Sequence, residues 1–82
     1  MNIDKYEEAA LVAQKISFAF EDAFHDKEQR KLFYMYFNRY LLRVDPDGEL
    51  APYDALILLW RKYPDEFTHM EKEMTEKGLL DD

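Results

Sequence analysis

Two carboxylate–imidazole pairs are the residues of this chain whose types and spacing could support metal or acid–base chemistry. Glu66 and His69 stand three residues apart, as do Asp22 and His25. On a helix this spacing brings both side chains onto one face, as in the di-metal sites of helical bundles. Such sites need further inward-facing carboxylates, whereas the apolar periodicity places Glu66 and His69 beside the buried stripe. We therefore expect both pairs to be solvated, with no metal or other cofactor bound.

The segment Arg43–Asp54, with the sequence RVDPDGELAPYD, places three carboxylates around a glycine. With Gly48 at the middle of the loop, the segment resembles an EF-hand loop. The resemblance implies three candidate calcium ligands, Asp45, Asp47 and Asp54. The first loop position is arginine, whose charge repels a cation, and the closing position is aspartate instead of the longer glutamate. Because Asp-Pro-Asp-Gly is also turn chemistry, we predict a helix-turn-helix connection at 45–51, with a degenerate calcium-binding domain as an alternative.

Other catalytic groups are scarce. Ser17, Thr68 and Thr75 are the only hydroxyl side chains besides the tyrosines, and the chain has no cysteine. Their spacing indicates no nucleophile–base pair, and no glycine-rich phosphate loop is present. The sequence therefore favours a protein that is not an enzyme and that works through its surfaces.

The elements that must carry these surfaces are helices, because apolar residues recur with a helical period and few residues are β-branched. We predict an all-α fold, a compact three- to four-helix bundle, with a single domain at 1–80 and a loose acidic tail at 81–82. The predicted helices span about 5–24, 27–44, 52–63 and 65–77. The last two are alternatively one helix kinked at Pro64. The second helix carries a stripe of large apolar residues, and we expect it to lie at the centre of the bundle.

Local signals set the predicted helix boundaries. Asp4 and Asp26 are N-cap residues, and Pro52 suits the first position of a helix. Pro46 disfavours helical geometry at the residue before it, which predicts that the second helix ends near Val44. Gly78 is placed to end the last helix.

The charge of the chain is unevenly distributed. The formal net charge is −7, but residues 25–44 carry five bases against two acids, and both flanking segments are acidic. Excess acid argues against nucleic acid as a partner and suits a partner protein with a basic surface. No apolar run approaches the roughly 20 residues that span a bilayer, and the N-terminus lacks the features of a signal peptide. We expect a cytoplasmic protein with no membrane partner.

Three groups of residues are candidates for binding a partner protein. The first group is apolar and lies off the predicted core stripes: Leu11, Phe18, Met35 and Leu58. The second is the outer face of the second helix: Lys27, Arg30, Lys31, Tyr34 and Asn38. The third consists of acids of the last helix: Asp65, Glu66 and Glu73. The alternatives are that the apolar group is buried by helices on two sides of the first helix, and that the charged groups are solvated.

From these surfaces we expect a non-catalytic, acidic protein-binding module. It would act as a small inhibitor or adaptor on a larger protein, with Phe18 or Tyr34 as the anchor. Its short length, aromatic content and lack of cysteine make it similar in general character to inhibitor or accessory proteins of phages and mobile elements. The alternative outside this class is an oligomeric structural component or assembly chaperone built from copies of the chain.

Overall fold

The computed structural model describes residues 4–80, which form four α-helices. These are α1 (Lys5–Ala23), α2 (Lys27–Tyr40), α3 (Pro52–Lys62) and α4 (Pro64–Glu76). A 3₁₀ turn, Leu41–Arg43, follows α2. No strand occurs between residues 4 and 80, and the predicted all-α bundle is confirmed. The predicted tail at 81–82, and residues 1–3 of the predicted domain, lie outside the described residues.

Side-chain caps start the first two helices. Asp4 Oδ1 accepts a hydrogen bond from the backbone N–H of Tyr6 at 3.0 Å. Asp26 Oδ1 accepts from the N–H groups of Glu28 and Gln29 at 3.0 and 3.2 Å. Both aspartates therefore satisfy N–H groups that the first helical turn leaves without an intrahelical partner.

The second helix ends earlier than the sequence predicts. Regular α-helix stops at Tyr40, and the predicted end at Val44 is wrong. The N–H of Val44 donates to the carbonyl of Leu41, three residues back, at 3.1 Å, which is the hydrogen bond of a 3₁₀ turn, and the N–H of Asp45 donates to the same carbonyl at 2.8 Å. This tightening carries the backbone into the turn at 45–48, which Gly48 completes with a φ of 66°.

The third and fourth helices are separate. Tyr63 has φ −139° and ψ 69°, outside the helical region, and it is both the C-cap of α3 and the N-cap of α4. Pro64 then occupies the first position of α4, where its missing N–H costs nothing. At the other end of α4, the N–H groups of Gly78 and Leu79 donate to Thr75 and Met74, and Gly78 has a φ of 77°. This is the glycine-terminated ending that Gly78 predicts.

The helices pack around a single apolar core, and α3 makes its main contacts with α1 and α4 on two of its sides. The second helix packs less extensively, so the prediction that it is central is wrong. The largest fully buried side chains are Tyr36, Phe33, Ile16, Leu56, Leu59, Met70 and Met74. Alanines of α1, Ala9 and Ala13, are also buried, and their short side chains let α3 approach closely.

The bundle is flat, with extents of 40 × 30 × 18 Å. Leu11 and Phe18 lie on a side of α1 that the other described helices leave exposed.

Candidate functional site

An apolar groove of about 510 Å³ runs along the exposed side of α1. It is lined by Tyr6, Glu7, Ala10, Leu11, Gln14, Ser17 and Phe18 of α1 and by Tyr53 of α3. We call it the α1 groove. Leu11 and Phe18 are 60% and 55% exposed, which makes them the two most exposed of the large apolar side chains in residues 4–80. They are seven residues apart, two helical turns, and so lie on the same face of α1.

Phe18 also lines a second cavity on its other side. That cavity, of about 540 Å³, lies between α1, the start of α2 and the end of α4, with Gly78 and Leu79 in its wall. The Phe18 side chain therefore separates two concave regions and is accessible from both.

The far end of the α1 groove is held in place by aromatic packing. The Tyr6 ring meets the indole of Trp60 edge-on, with centroids 5.9 Å apart. The guanidinium of Arg61 lies 5.6 Å from the centroid of the same ring. These contacts with α3 hold the Tyr6 ring at this end of the groove.

Acids lie near both ends of the α1 groove, and one base, Arg61, covers the Tyr6 ring at the end nearest Glu7. Glu7 and Glu8 precede Leu11, and Glu21 and Asp22 follow Phe18. All four acids are exposed, and none of them makes an ion pair within residues 4–80. Of the four acids only Glu7 lines the groove, whereas Asp22 and the basic side chain between them, Lys15, line the second cavity.

The outer face of α2 is only partly available. Lys27, Lys31 and Tyr34 are exposed, as predicted for a surface. Arg30 is half-buried, because its Nη1 donates to the carbonyl of Phe24 at 3.1 Å and its guanidinium lies 5.2 Å from the Phe24 ring centroid. Arg30 thus satisfies a carbonyl at the end of α1 and joins the first two helices, and we place it outside the candidate surface.

Tyr34, the second anchor expected from the sequence, lies beside a smaller cavity. Its ring meets Phe20 edge-on with centroids 5.5 Å apart, and 46% of the residue is exposed. The cavity beside it has a volume of about 180 Å³ and lies against the 45–52 segment. Tyr34 therefore faces a site about one-third the size of the α1 groove.

Two of the three predicted acids of α4 are engaged inside the fold. Glu66 Oε1 lies 2.7 Å from Nη1 of Arg43, whose guanidinium also covers the Tyr63 ring. Glu73 accepts a short hydrogen bond from the hydroxyl of Tyr40. Its carboxylate also contacts Arg39 at 3.4 Å and His69 at 3.1 Å. Asp65, the third predicted acid, is exposed.

The contact of Tyr40 with Glu73 perturbs both groups. Burial raises the pKa of Tyr40 to about 12, and the hydrogen bond to Glu73 acts in the same direction. The donated hydrogen bond from Tyr40 lowers the pKa of Glu73, opposed by desolvation, and the positive charges of His69 and Arg39 lower it further. The cluster connects α2 with α4, and it lies outside the cavities described above.

The 45–54 segment uses its first aspartate for backbone contacts. Asp45 Oδ1 and Oδ2 accept from the N–H groups of Glu49 and Leu50, both at 3.0 Å, and the Gly48 N–H donates to the Asp45 carbonyl. Between residues 4 and 80, no three carboxylate, imidazole or thiol side chains are grouped to hold a metal ion. Asp45, Asp47 and Asp54 are therefore not brought together.

The remaining sequence candidates are dispersed. Leu58 is half-buried in α3 and does not line the α1 groove, so it does not join Leu11 and Phe18. Met35 is 43% exposed on α2. In the carboxylate–imidazole pairs, His69 contacts Glu73 instead of Glu66, and His25 packs its ring against Phe24.

The sequence does not predict three features of the structure. Tyr53 completes the groove from another helix, and Tyr40 and Glu73 meet across 33 positions of the chain. No local spacing could reveal such partners. Leu42, in the 3₁₀ turn, and Leu50, in the connection before α3, are 46% and 42% exposed.

Comparison of the chain with protein-family models, curated proteins and solved structures found no match. In the described part of the chain, no helix has the length and hydrophobicity needed to cross a membrane.

Proposed function

We propose that this chain is a non-catalytic protein-binding module that acts as a small inhibitor or adaptor on a larger protein. The observation that carries the proposal is the α1 groove, where Leu11 and Phe18 stand 60% and 55% exposed beside a cavity of about 510 Å³. Large apolar side chains grouped on a concave surface are typical of protein-interaction sites.

The energetics of these two side chains support this role. Burying a leucine or phenylalanine side chain fully is worth about 1.5–3 kcal/mol. Because more than half of each residue is exposed in the free chain, most of this gain remains for a partner to realise. Tyr6 and Tyr53, which line the same groove, add aromatic surface of the kind that is enriched at binding hot spots.

The negative charge of the chain supports a partner with a basic surface. The acids that are available to such a partner lie on α1, whereas the sequence favours acids of α4. Glu66 and Glu73 are paired with Arg43 and Arg39, so their charge is largely compensated within the fold. The exposed acids of α1 make no ion pair within residues 4–80, and one of them, Glu7, lines the groove. These acids favour a basic partner at α1.

The test is affinity capture from host extract with identification of the captured proteins. Three single variants are compared with the unaltered chain: Phe18→Asp on the α1 groove, Tyr34→Ala beside the smaller cavity, and Met35→Asp as a matched exposed control. We expect Phe18→Asp to lose a specific partner that Met35→Asp and Tyr34→Ala retain. Retention of every partner by Phe18→Asp, with the fold intact by circular dichroism, would show that the α1 groove is not the binding surface.

A further inference from the structure

Two acids flank the apolar pair of α1 symmetrically, and one base, Lys15, lies between Leu11 and Phe18 along the helix. Glu7 precedes Leu11 by four residues, and Asp22 follows Phe18 by four. Residues four apart are neighbours on a helix face, so the apolar pair has one acid a turn before it and another a turn after it. Each acid is exposed and makes no ion pair in the part of the chain that the structure describes.

This symmetry argues against a second copy of the chain as the occupant of the groove. If two α1 helices pack antiparallel so that Leu11 meets Phe18 of the other copy, Glu7 meets Asp22. If they pack parallel, each acid meets its own counterpart. Both arrangements place like charges opposite each other at both ends of the contact, which opposes association. The net charge of −7 on each copy adds repulsion at longer range.

The same pattern suits a helix of opposite charge. We propose that the occupant of the α1 groove is a basic amphipathic helix of a partner protein, an inference that rests on the proposed function. The fitting helix carries two large apolar residues seven positions apart, with lysine or arginine four positions before the first and four after the second. Its apolar side chains bury Leu11 and Phe18 while its basic residues meet Glu7 and Asp22.

The dimensions of α1 agree with this occupant. From Glu7 to Asp22 the helix rises about 22 Å, at 1.5 Å for each residue. A partner segment of about 16 residues covers the same length. The short side chains of Ala10 and Ser17 lie on the groove side of α1, where they allow a second helix to approach closely.

The experiment uses synthetic helical peptides of about 16 residues that contain no tryptophan. The basic peptides have leucine or phenylalanine at positions 5 and 12 and lysine at positions 1 and 16. The acidic peptides have glutamate in place of both lysines. The shifted peptides keep the lysines but move the second apolar residue by two positions. Binding is followed by peptide fluorescence anisotropy and by Trp60 emission, which senses the groove through the Tyr6 contact. Backbone amide shifts then map the contact surface.

We expect the basic peptides to bind at least tenfold more tightly than the acidic or shifted peptides, with amide shifts concentrated between Glu7 and Asp22. The double variant Glu7→Gln/Asp22→Asn should lose most of this preference. The matched double variant Asp47→Asn/Glu49→Gln, which removes two exposed acids far along the chain, should keep it.

Failure of this inference is distinguishable from failure of the proposed function. Equal binding of basic and acidic peptides, or no binding of any peptide at millimolar concentration, overturns the basic helix as occupant. A dimer in sedimentation equilibrium at micromolar concentration that Phe18→Asp dissociates overturns it in favour of a second copy. The proposed function fails separately, if Phe18→Asp captures the same partners from host extract as the unaltered chain.

Discussion

Glu73 illustrates how a surface acid becomes part of the fold. Three side chains meet its carboxylate: the hydroxyl of Tyr40, the guanidinium of Arg39 and the imidazole of His69. Two of these belong to α2 and one to α4, so the carboxylate joins two helices. The residue is therefore a structural contact, although its charge and helical position made it a candidate for partner binding.

The first prediction concerns the substitution Glu73→Gln. It should lower the free energy of unfolding, because it removes the charge that faces Arg39 and replaces the acceptor of the Tyr40 hydroxyl by a neutral amide. Partner binding should be unchanged, because Glu73 lies away from the α1 groove. Urea unfolding measures the first effect and peptide binding the second.

The matched control is Asp65→Asn, which removes an exposed acid from the same helix. It should leave the urea midpoint nearly unchanged. If Glu73→Gln weakens binding while its stability equals that of Asp65→Asn, the acid contacts the partner and the structural role is wrong.

The second prediction is a loss of stability in alkali through Tyr40. The fold raises the pKa of this hydroxyl from 10 to about 12, so the folded state holds the proton that the unfolded chain releases. The stabilisation is complete below pH 10 and is lost as the pH rises from 10 to 12, by roughly 2–3 kcal/mol. Unfolding measured against pH, compared with Tyr40→Phe, isolates this group.

Tyr40→Phe should be less stable than the unaltered chain at pH 8, and the difference should shrink or reverse by pH 11.5. A constant difference across this window would show that burial in the fold does not raise the pKa of Tyr40. All other titrating groups are common to the two proteins, so they cancel in the comparison.

The ends of the helices are the structural features that the sequence predicted best. Asp4, Asp26, Pro64 and Gly78 each act through neighbouring backbone groups, and the structure places a helix end at each of them. The end of α2 was the exception. Pro46 restricts only the residue before it, whereas the helix had already tightened at Leu41, because the chain must turn back towards α3.

The third prediction concerns the connection between α2 and α3. Asp45 accepts two backbone N–H groups of the loop, and Asp45→Ala should destabilise the fold by about 1–2 kcal/mol, because both hydrogen bonds are lost. Asp47→Ala is the control, because Asp47 is exposed and its side chain makes no hydrogen bond within the described residues. Thermal unfolding of both variants checks the difference.

Calcium provides an independent test of the same connection. A ligand that binds only the folded state stabilises it by RT ln(1 + [L]/Kd) and so raises the melting temperature. We expect no change in melting temperature between zero and millimolar calcium, since the Asp45 oxygens already bond to the backbone. A rise that Asp47→Ala abolishes would restore the EF-hand interpretation of the loop.

At the scale of the whole molecule, periodicity predicted the class of fold but not the arrangement of its helices. The stripe on α2 is rich in aromatic residues, which suggested a central position, yet α3 holds that place because it packs against α1 and α4. Contacts such as Arg43 with Glu66 join distant parts of the chain. The exposure of Phe18 likewise depends on how many layers the helices form, and residue spacing on α1 carries no information about that.

The last prediction follows from the charge of the complete chain. The net charge of the chain is −7. Two bases, Arg39 and Arg43, are paired with acids of α4 and so do not neutralise the acids of α1. Two copies therefore repel, and the groove should stay uncovered at low salt. Raising the ionic strength from 0.1 to 1 M shortens the Debye length from about 10 to 3 Å and screens this repulsion.

Salt should therefore act in opposite directions on the two associations that the α1 groove could form. Binding of the basic peptides should weaken several-fold between 0.1 and 1 M NaCl, because the attraction to Glu7 and Asp22 is screened. Self-association, measured by sedimentation equilibrium, should instead strengthen over the same range, because only the repulsion is removed while Leu11 and Phe18 remain apolar. Phe18→Asp should show neither effect, since it removes the apolar contact on which both depend. Peptide binding that strengthens with salt would mean that apolar contact alone, and not charge, selects the occupant of the groove.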